Sequence, residues 1–326
     1  MQSKQVKHMT LVVVTGGAGF IGSHLATSLV EQGYEVRIFD NLTTGSEENL
    51  QHIRHRVSFI RGCVEDEDLC CRVLDGARYV WHLAALGSVP RSLRDPLSSN
   101  KANVTGTLAV LWAARQMGVE RVVFASSASV YGPDSPTPQS PDAQPNPASP
   151  YAATKLAGEH YMKVFDECYR LETVSLRYFN VFGPRQDPNS PYAAVIPSFI
   201  KALLSGQPGQ IEGNGDQSRD FAYVTDCVQA TIKAMTAPKA PGNVYNIACG
   251  QQTKVSNLYD IICRLLGKEI PPVQVEPRPS DVLSSLADIS NTIEDLDYHP
   301  QFTVEQGLEQ AIPWYTEYYQ RHRSQL

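Results

Sequence analysis

The chain has 326 residues, 42% hydrophobic and 19% charged, with a formal net charge of −6; that suits two coupled globular domains. The acidic balance, without a block of basic residues, excludes nucleic acid or an anionic membrane surface as partner, and no apolar run approaches the ~18 residues that cross a bilayer. Seven scattered cysteines without a CxxC pair read as reduced thiols of a cytosolic protein with no structural metal.

After a polar lead-in, Leu11-Val12-Val13-Val14 reads as a buried parallel strand, too short for a signal-peptide core. Thr15-Gly16-Gly17-Ala18-Gly19-Phe20-Ile21-Gly22 follows. Phe20, Ile21, Leu25, Leu29 and Val30 then recur at helical spacing as far as Gln32-Gly33. Strand, glycine turn and helix form the context in which spaced glycines mark a dinucleotide site. Gly16 allows the tight turn, Gly19 lets the backbone approach a pyrophosphate, and Gly22 lets helix and strand pack closely. A second strand, Glu35 to Phe39, ends in Asp40. That acid lies 24 positions beyond Gly16, near where a ribose-binding carboxylate is expected.

Asn41 to Gly45 is a turn, and Val57 to Ile60 is a third strand. A helix ends at Val73-Leu74 before Gly76, and Tyr79 to Leu83 is a fourth strand. A long helix lies between Asp95 and Met117, with Leu108, Leu111 and Trp112 on one face. Arg121 to Ala125 is a fifth strand. This alternation predicts an α/β fold, a Rossmann-type doubly wound parallel sheet. Residues 133–150 hold seven prolines in eighteen positions and read as an extended loop. Ser149 is the expected N-cap and Pro150 the first residue of a helix from Tyr151 to about Tyr169. Strand Val174 to Tyr178 follows. Beyond residue 180 the alternation weakens into a proline-punctuated loop, helices at 198–204, 225–236 and 255–266, strand Val244 to Ile247, and an amphipathic end from Val304. The expected division is 1–180 for the cofactor and 181–326 mainly for a smaller substrate domain, with some segments returning to the sheet.

Tyr151 and Lys155 sit at i and i+4 on one helical face. A phenol with pKa of about 10 is a poor base. An ammonium at ~4 Å favours the phenolate by up to ~4 kcal/mol at an effective dielectric of ~20, before desolvation. That brings a general base toward neutral pH. Ser126 to Gly132 follows the fifth strand at the sheet edge where ligands sit. A serine hydroxyl there can hold a substrate hydroxyl and relay its proton. His24 and His82 read as packed or turn-bonded, and Trp314 and the C-terminal tyrosines as core.

Together with Asp40-Asn41, His82-Leu83-Ala84-Ala85 and Arg177-Tyr178-Phe179-Asn180, these motifs resemble the extended short-chain dehydrogenase/reductase family over essentially the whole chain. Within it, residues 84–92, 180–188, 193–197 and 218–221 are similar to UDP-N-acetylglucosamine 4-epimerases. The resemblance implies NAD, held throughout turnover. The implied cofactor contacts are Gly16, Gly19, Phe20, Ile21, Gly22, Asp40, Asn41 and Gly45, then Cys63, Val64, Leu83, Ala84, Ala85, Tyr151, Lys155 and Phe179. In the implied reaction Tyr151, helped by Ser127, removes the 4-hydroxyl proton, and hydride passes from C4 to the nicotinamide. The 4-keto sugar turns over, and hydride returns to its other face. Lys155 lowers the tyrosine pKa and holds the nicotinamide ribose.

The implied UDP-sugar contacts are Gly87, Ser88, Ser127, Tyr151, Asn180, Ala194 and Val195, then Gln210, Glu212, Arg219, Arg278, Asp281 and Ser285. Two arginines suit a diphosphate. Ser285 stands where a tyrosine favours unacetylated hexoses and a small residue admits a 2-acetamido group. A homodimer built on helices 98–117 and 151–169 is also implied. Two positions depart from the family. Gly62-Cys63 replaces the usual Gly-Asp, and a thiol is a weak partner for adenine, which leaves Val64's backbone or the nearby Glu65 and Asp66. Ala128 and Ser129 cannot act as the acid or base of a dehydratase or decarboxylase. The competing functions are epimerisation of UDP-glucose or UDP-hexuronic acids, and a non-catalytic NAD-binding scaffold. A full Ser127, Tyr151 and Lys155 set argues against the scaffold.

Overall fold

A computed structural model describes residues 9–190, 194–276 and 283–322. In β1 (Leu11–Thr15), Val12, Val13 and Val14 have no solvent exposure, as a strand covered on both faces requires. β2 (Glu35–Asp40) and β3 (Val57–Arg61) lie to one side of it. β4 (Tyr79–His82), β5 (Arg121–Ser127) and β6 (Glu172–Tyr178) lie to the other. The order β3-β2-β1-β4-β5-β6 is parallel throughout. The sheet is Rossmann-like, and its order reverses between β1 and β4, where a crevice opens beyond the strand ends.

β7 (Asn180–Phe182) begins two residues after β6 ends. It pairs with β9 (Ser218–Tyr223), which pairs with β11 (Gln252–Lys254) in a small second sheet. β8 (Gln210–Glu212) pairs with β12 (Val273–Val275). β10 (Val244–Ile247) returns to the large sheet as its seventh strand, parallel to β6.

The pleat of β1 divides the core. Val13 faces α2 (Glu67–Leu74), α5 (Gly106–Gln116) and α6 (Pro150–Tyr169) through Val73, Leu111 and Met162. Val12 and Val14 face α1 (Phe20–Glu31) and α8 (Val224–Thr236) through Leu25, Leu29 and Cys227. Trp81 of β4 is fully buried on the second side, and its indole donates to Thr231 O at 3.0 Å. α7 (Val195–Leu204), α9 (Val255–Leu266), α10 (Ser290–Leu296) and α11 (Val304–Arg321) complete the second half. No helix among the described residues is long and apolar enough to cross a membrane.

The helix expected between Asp95 and Met117 is interrupted. After α3 (Val89–Arg94) the chain runs through α4 (Pro96–Asn100), a π turn at Lys101–Thr105, and then α5. Residues 47–56 form a 3₁₀ helix that the sequence did not announce. Its two buried residues, Leu50 and Ile53, stand three apart, the period of a 3₁₀ turn. Ser149 caps α6 by accepting from Ala152 N–H at 3.2 Å, with Pro150 in the first turn, as expected.

Trp81→Ala removes the largest side chain at the sheet centre. It should cost about 3–5 kcal/mol of stability, seen as a lower urea midpoint with unchanged slope.

Candidate active site

The β1–α1 turn is shaped by missing side chains. Gly16 has φ +69°, and its N–H donates to Phe39 O at 2.8 Å. A Cβ on Gly22 would overlap the Gly16 carbonyl oxygen. No side chain caps α1, so its first N–H groups face the crevice. At the end of β2 the buried Asp40 carboxylate accepts from Ala18 N–H at 3.0 Å and Leu42 N–H at 2.8 Å. Burial raises its pKa against those bonds.

A cavity of about 800 Å³ runs along the C-terminal edge of the sheet. Asp40, Asn41, Gly62, Val64 and Glu65 line it beyond β2 and β3, and Gly16, Gly19, Phe20, Ile21 and Gly22 line its middle. Leu83, Ala84, Ala85, Gly87, Ser88, Ser127, Tyr151, Lys155 and Phe179 close it beyond β4, β5 and β6. A helix N-terminus in the middle and a carboxylate at one end fit a dinucleotide.

At the other end, Ser127 Oγ accepts from Ser129 N–H at 3.2 Å and from Ser129 Oγ at 3.0 Å. Its own proton is thereby left to give. Tyr151 is hydrogen-bonded to Ser127, while burial raises the phenol above its ordinary pKa. Lys155 Nζ donates to Ala125 O at 2.6 Å and lies 5.9 Å from the Tyr151 ring centroid. Burial lowers Lys155 to about 7, opposed by Glu159. The lowering of the phenol pKa expected from spacing is therefore not found: burial takes it the other way. Burial is the largest influence on both groups, opposed at Tyr151 by the hydrogen bond to Ser127 and at Lys155 by Glu159.

Two buried residues that the sequence did not single out fix this end. Ser92 Oγ accepts the Tyr151 N–H at 3.0 Å. Asn103, inside the π turn, accepts from Leu86 N–H at 2.8 Å and donates to Thr154 Oγ1 at 2.9 Å, joining the 84–88 loop to α6. Arg91, Gln186, Asp187, Asn189 and Ser190 also line the cavity. The first three fall within the segments that carried the resemblance. His82 is packed, one of the two expected alternatives: buried on β4, it sits between Thr15 Oγ1 and Thr107 Oγ1 at 2.8 and 2.9 Å.

Other expected site residues stand outside the cavity wall. Gly45 lines a neighbouring cavity of about 840 Å³ with Arg185, Trp314 and Tyr318. Cys63 is exposed, and its sulfur accepts from Asn41 Nδ2 at 3.4 Å. Asn180 opens β7, Ala194 precedes α7 and Val195 begins it, and Gln210 and Glu212 bound β8. Arg219 on β9 donates to Ser218 O at 2.9 Å. Ser285 is buried, its hydroxyl turned to Gln139 Oε1 at 3.4 Å. Arg278 and Asp281 lie outside the described residues.

A doubly wound sheet, an uncapped helix behind a glycine turn, and a serine, tyrosine and lysine at one end define a nicotinamide-dependent enzyme of Rossmann type. Residues 12–248 match the NAD dependent epimerase/dehydratase family. The chain belongs to that family, and its cofactor is NAD. It is similar to UDP-N-acetylglucosamine 4-epimerase from Methanobrevibacter ruminantium, solved with UDP-N-acetylmuramic acid. The two are 41% identical over 95% of this chain and 99% of that one, with a TM-score of 0.91. UDP-glucose 4-epimerase from Thermotoga maritima, solved with UDP-glucose, is 36% identical over 95% and 99% of the two chains, at 0.91. UDP-glucuronic acid 4-epimerase from Bacillus cereus, solved with UDP-glucuronic acid and NAD, is 32% identical over 95% and 100%, at 0.88.

Lys155 falls from 10.5 to about 7 on folding. Between those values the unfolded chain binds more protons there, so this residue's contribution to stability rises with pH. In cofactor-free protein, the gap between wild type and Lys155→Met should shift in favour of wild type from pH 7 to 10, read from urea midpoints.

Proposed function

We propose that the protein is a UDP-hexosamine 4-epimerase, interconverting UDP-N-acetylglucosamine and UDP-N-acetylgalactosamine through a 4-keto sugar. The observation that carries this is the meeting of Ser127, Tyr151 and Lys155 at one end of the dinucleotide cavity. Bound NAD supplies a two-electron acceptor that is restored within each turnover. Tyr151 takes the 4-hydroxyl proton and later returns it. Ser127, with Ser129 filling its acceptor positions, directs its proton to the sugar oxygen or the phenol. Lys155 supplies the positive charge that favours the phenolate during proton transfer. Ala128 and Ser129 offer no carboxyl group, so elimination and decarboxylation lack their acid or base.

Arg219 and Arg278 are assigned to the diphosphate, and Asn180, Ala194, Val195, Gln210, Glu212 and Asp281 to the rest of the UDP-sugar. Ser285 is assigned, by the resemblance, to the position where a small residue admits a 2-acetamido group. A homodimer is supported by apolar side chains exposed on consecutive helices: Leu93, Leu97, Leu108 and Val164. Seven free thiols suit a reducing cytosol.

Incubated without added NAD, the protein should convert UDP-N-acetylglucosamine faster than UDP-glucose or UDP-glucuronate, as seen by chromatography of the products. Turnover of only the last two would move the substrate. Failure with NAD demonstrably bound would leave the scaffold. Tyr151→Phe should retain NAD and lose about 10²–10⁴-fold in kcat. Light scattering should give a dimer mass, and Leu108→Glu with Val164→Glu should give a monomer.

A further inference from the structure

Tyr151, Lys155 and Glu159 stand at i, i+4 and i+8 of α6, one above the other. Glu159 is 6% exposed, and both of its oxygens are engaged. Oε1 accepts from Ser126 Oγ at 2.5 Å and Arg177 Nε at 2.9 Å; Oε2 accepts from an Arg177 terminal nitrogen at 2.8 Å. Arg177 is held in turn, donating to Pro141 O at 3.0 Å and lying 4.7 Å from the Tyr131 ring centroid. Such a buried pair is poor evidence of stability for its own sake, since well-packed apolar residues often serve as well.

Its position relative to Lys155 gives it another use. Lys155 is 4% exposed and lies over the Phe124 ring at 4.9 Å, with a single backbone carbonyl accepting from it. The titratable or charged groups around it are few. Tyr151 and Glu159 share its helix. His82 on β4 is held neutral by burial, pushed down to about 3. Arg177 on β6 lies beyond the Glu159 carboxylate, against the Tyr131 ring. Of the acidic residues of α6, Glu159 is the buried one, one helical turn from Lys155, and its carboxylate favours the charged amine.

We propose that Glu159, clamped by Arg177 and Ser126, is a positioning residue that holds Lys155 as a cation beside Tyr151. Its part in turnover rests on Tyr151 being the base; its hold on the lysine charge does not. The ion pair supplies a fixed negative end on the lysine side, and Ser126 locks it to the strand that carries Ser127.

The test is a pH titration of ¹³Cε-lysine-labelled protein by NMR, with the Lys155 signal assigned by its loss in Lys155→Arg. In Glu159→Gln the Lys155 midpoint should fall by about one pH unit or more, a tenfold weaker hold on the proton. Because Glu159→Gln leaves Arg177 buried and unpaired, the apolar pair Glu159→Leu with Arg177→Met provides a folded alternative, in which the midpoint should also fall. A midpoint within about 0.3 unit of wild type in the folded variants would overturn the proposal. In steady-state kinetics the alkaline limb of kcat should move down with the midpoint, while KM for the UDP-sugar stays within about twofold. A limb that stays in place while the midpoint moves would remove Glu159 from turnover. Should wild type turn over no UDP-sugar, the proposed function fails, and the titration still decides the charge of Lys155.

Discussion

Three consecutive residues at the end of β5 grip α6. Ala125 accepts from Lys155, Ser126 donates to Glu159, and Ser127 is hydrogen-bonded to Tyr151. The remaining architecture serves this seam. The parallel sheet brings the end of β5 to the crevice. Ser149 and Pro150 start α6 at the turn that sets Tyr151 over Ser127. Ser92 and Asn103 then hold the first turn of α6 from the opposite side.

The seam also explains why the site buries ionisable groups at a cost. Tyr151 and Lys155 each lose water, and each moves away from its charged form. A pre-formed site meets that penalty on folding rather than during reaction, so its charged and polar groups need little reorganisation when a proton moves. The compensating charges sit one turn further along the helix, away from the cavity wall.

Much of this was legible in the sequence, because it depends on local pattern. A β-branched run before three spaced glycines specifies β1, its turn and α1. Asp40 closes β2, and Ser149-Pro150 opens α6, each from neighbours only a few residues away. What was hidden depends on distant contacts. The 3₁₀ helix at 47–56 has just two buried residues, too few to show a period by themselves. The electrostatics of Tyr151 and Lys155 could not be read from spacing, since burial is set by β4, β5 and the facing loops. Ser285 has the expected size, yet its hydroxyl turns to Gln139, 146 positions away along the chain. Cys63 bonds to Asn41 through strand pairing that no local motif encodes.

The π turn at 101–105 has a consequence for how this region can vary. A π turn holds one residue more than the α-helical turn it replaces. Each residue of an α-helix advances the next by about 100°. Five residues of the wider turn therefore rotate about as far as four α-helical ones, so deleting one there would close the turn into regular helix and leave α5 in register. Val110, Leu111 and Ala114 would stay in the core, and what would be lost is the widened turn from which Asn103 reaches Leu86 and Thr154. The extra residue thus serves the two contacts of Asn103, which tie the 84–88 loop to α6, and not the packing of α5.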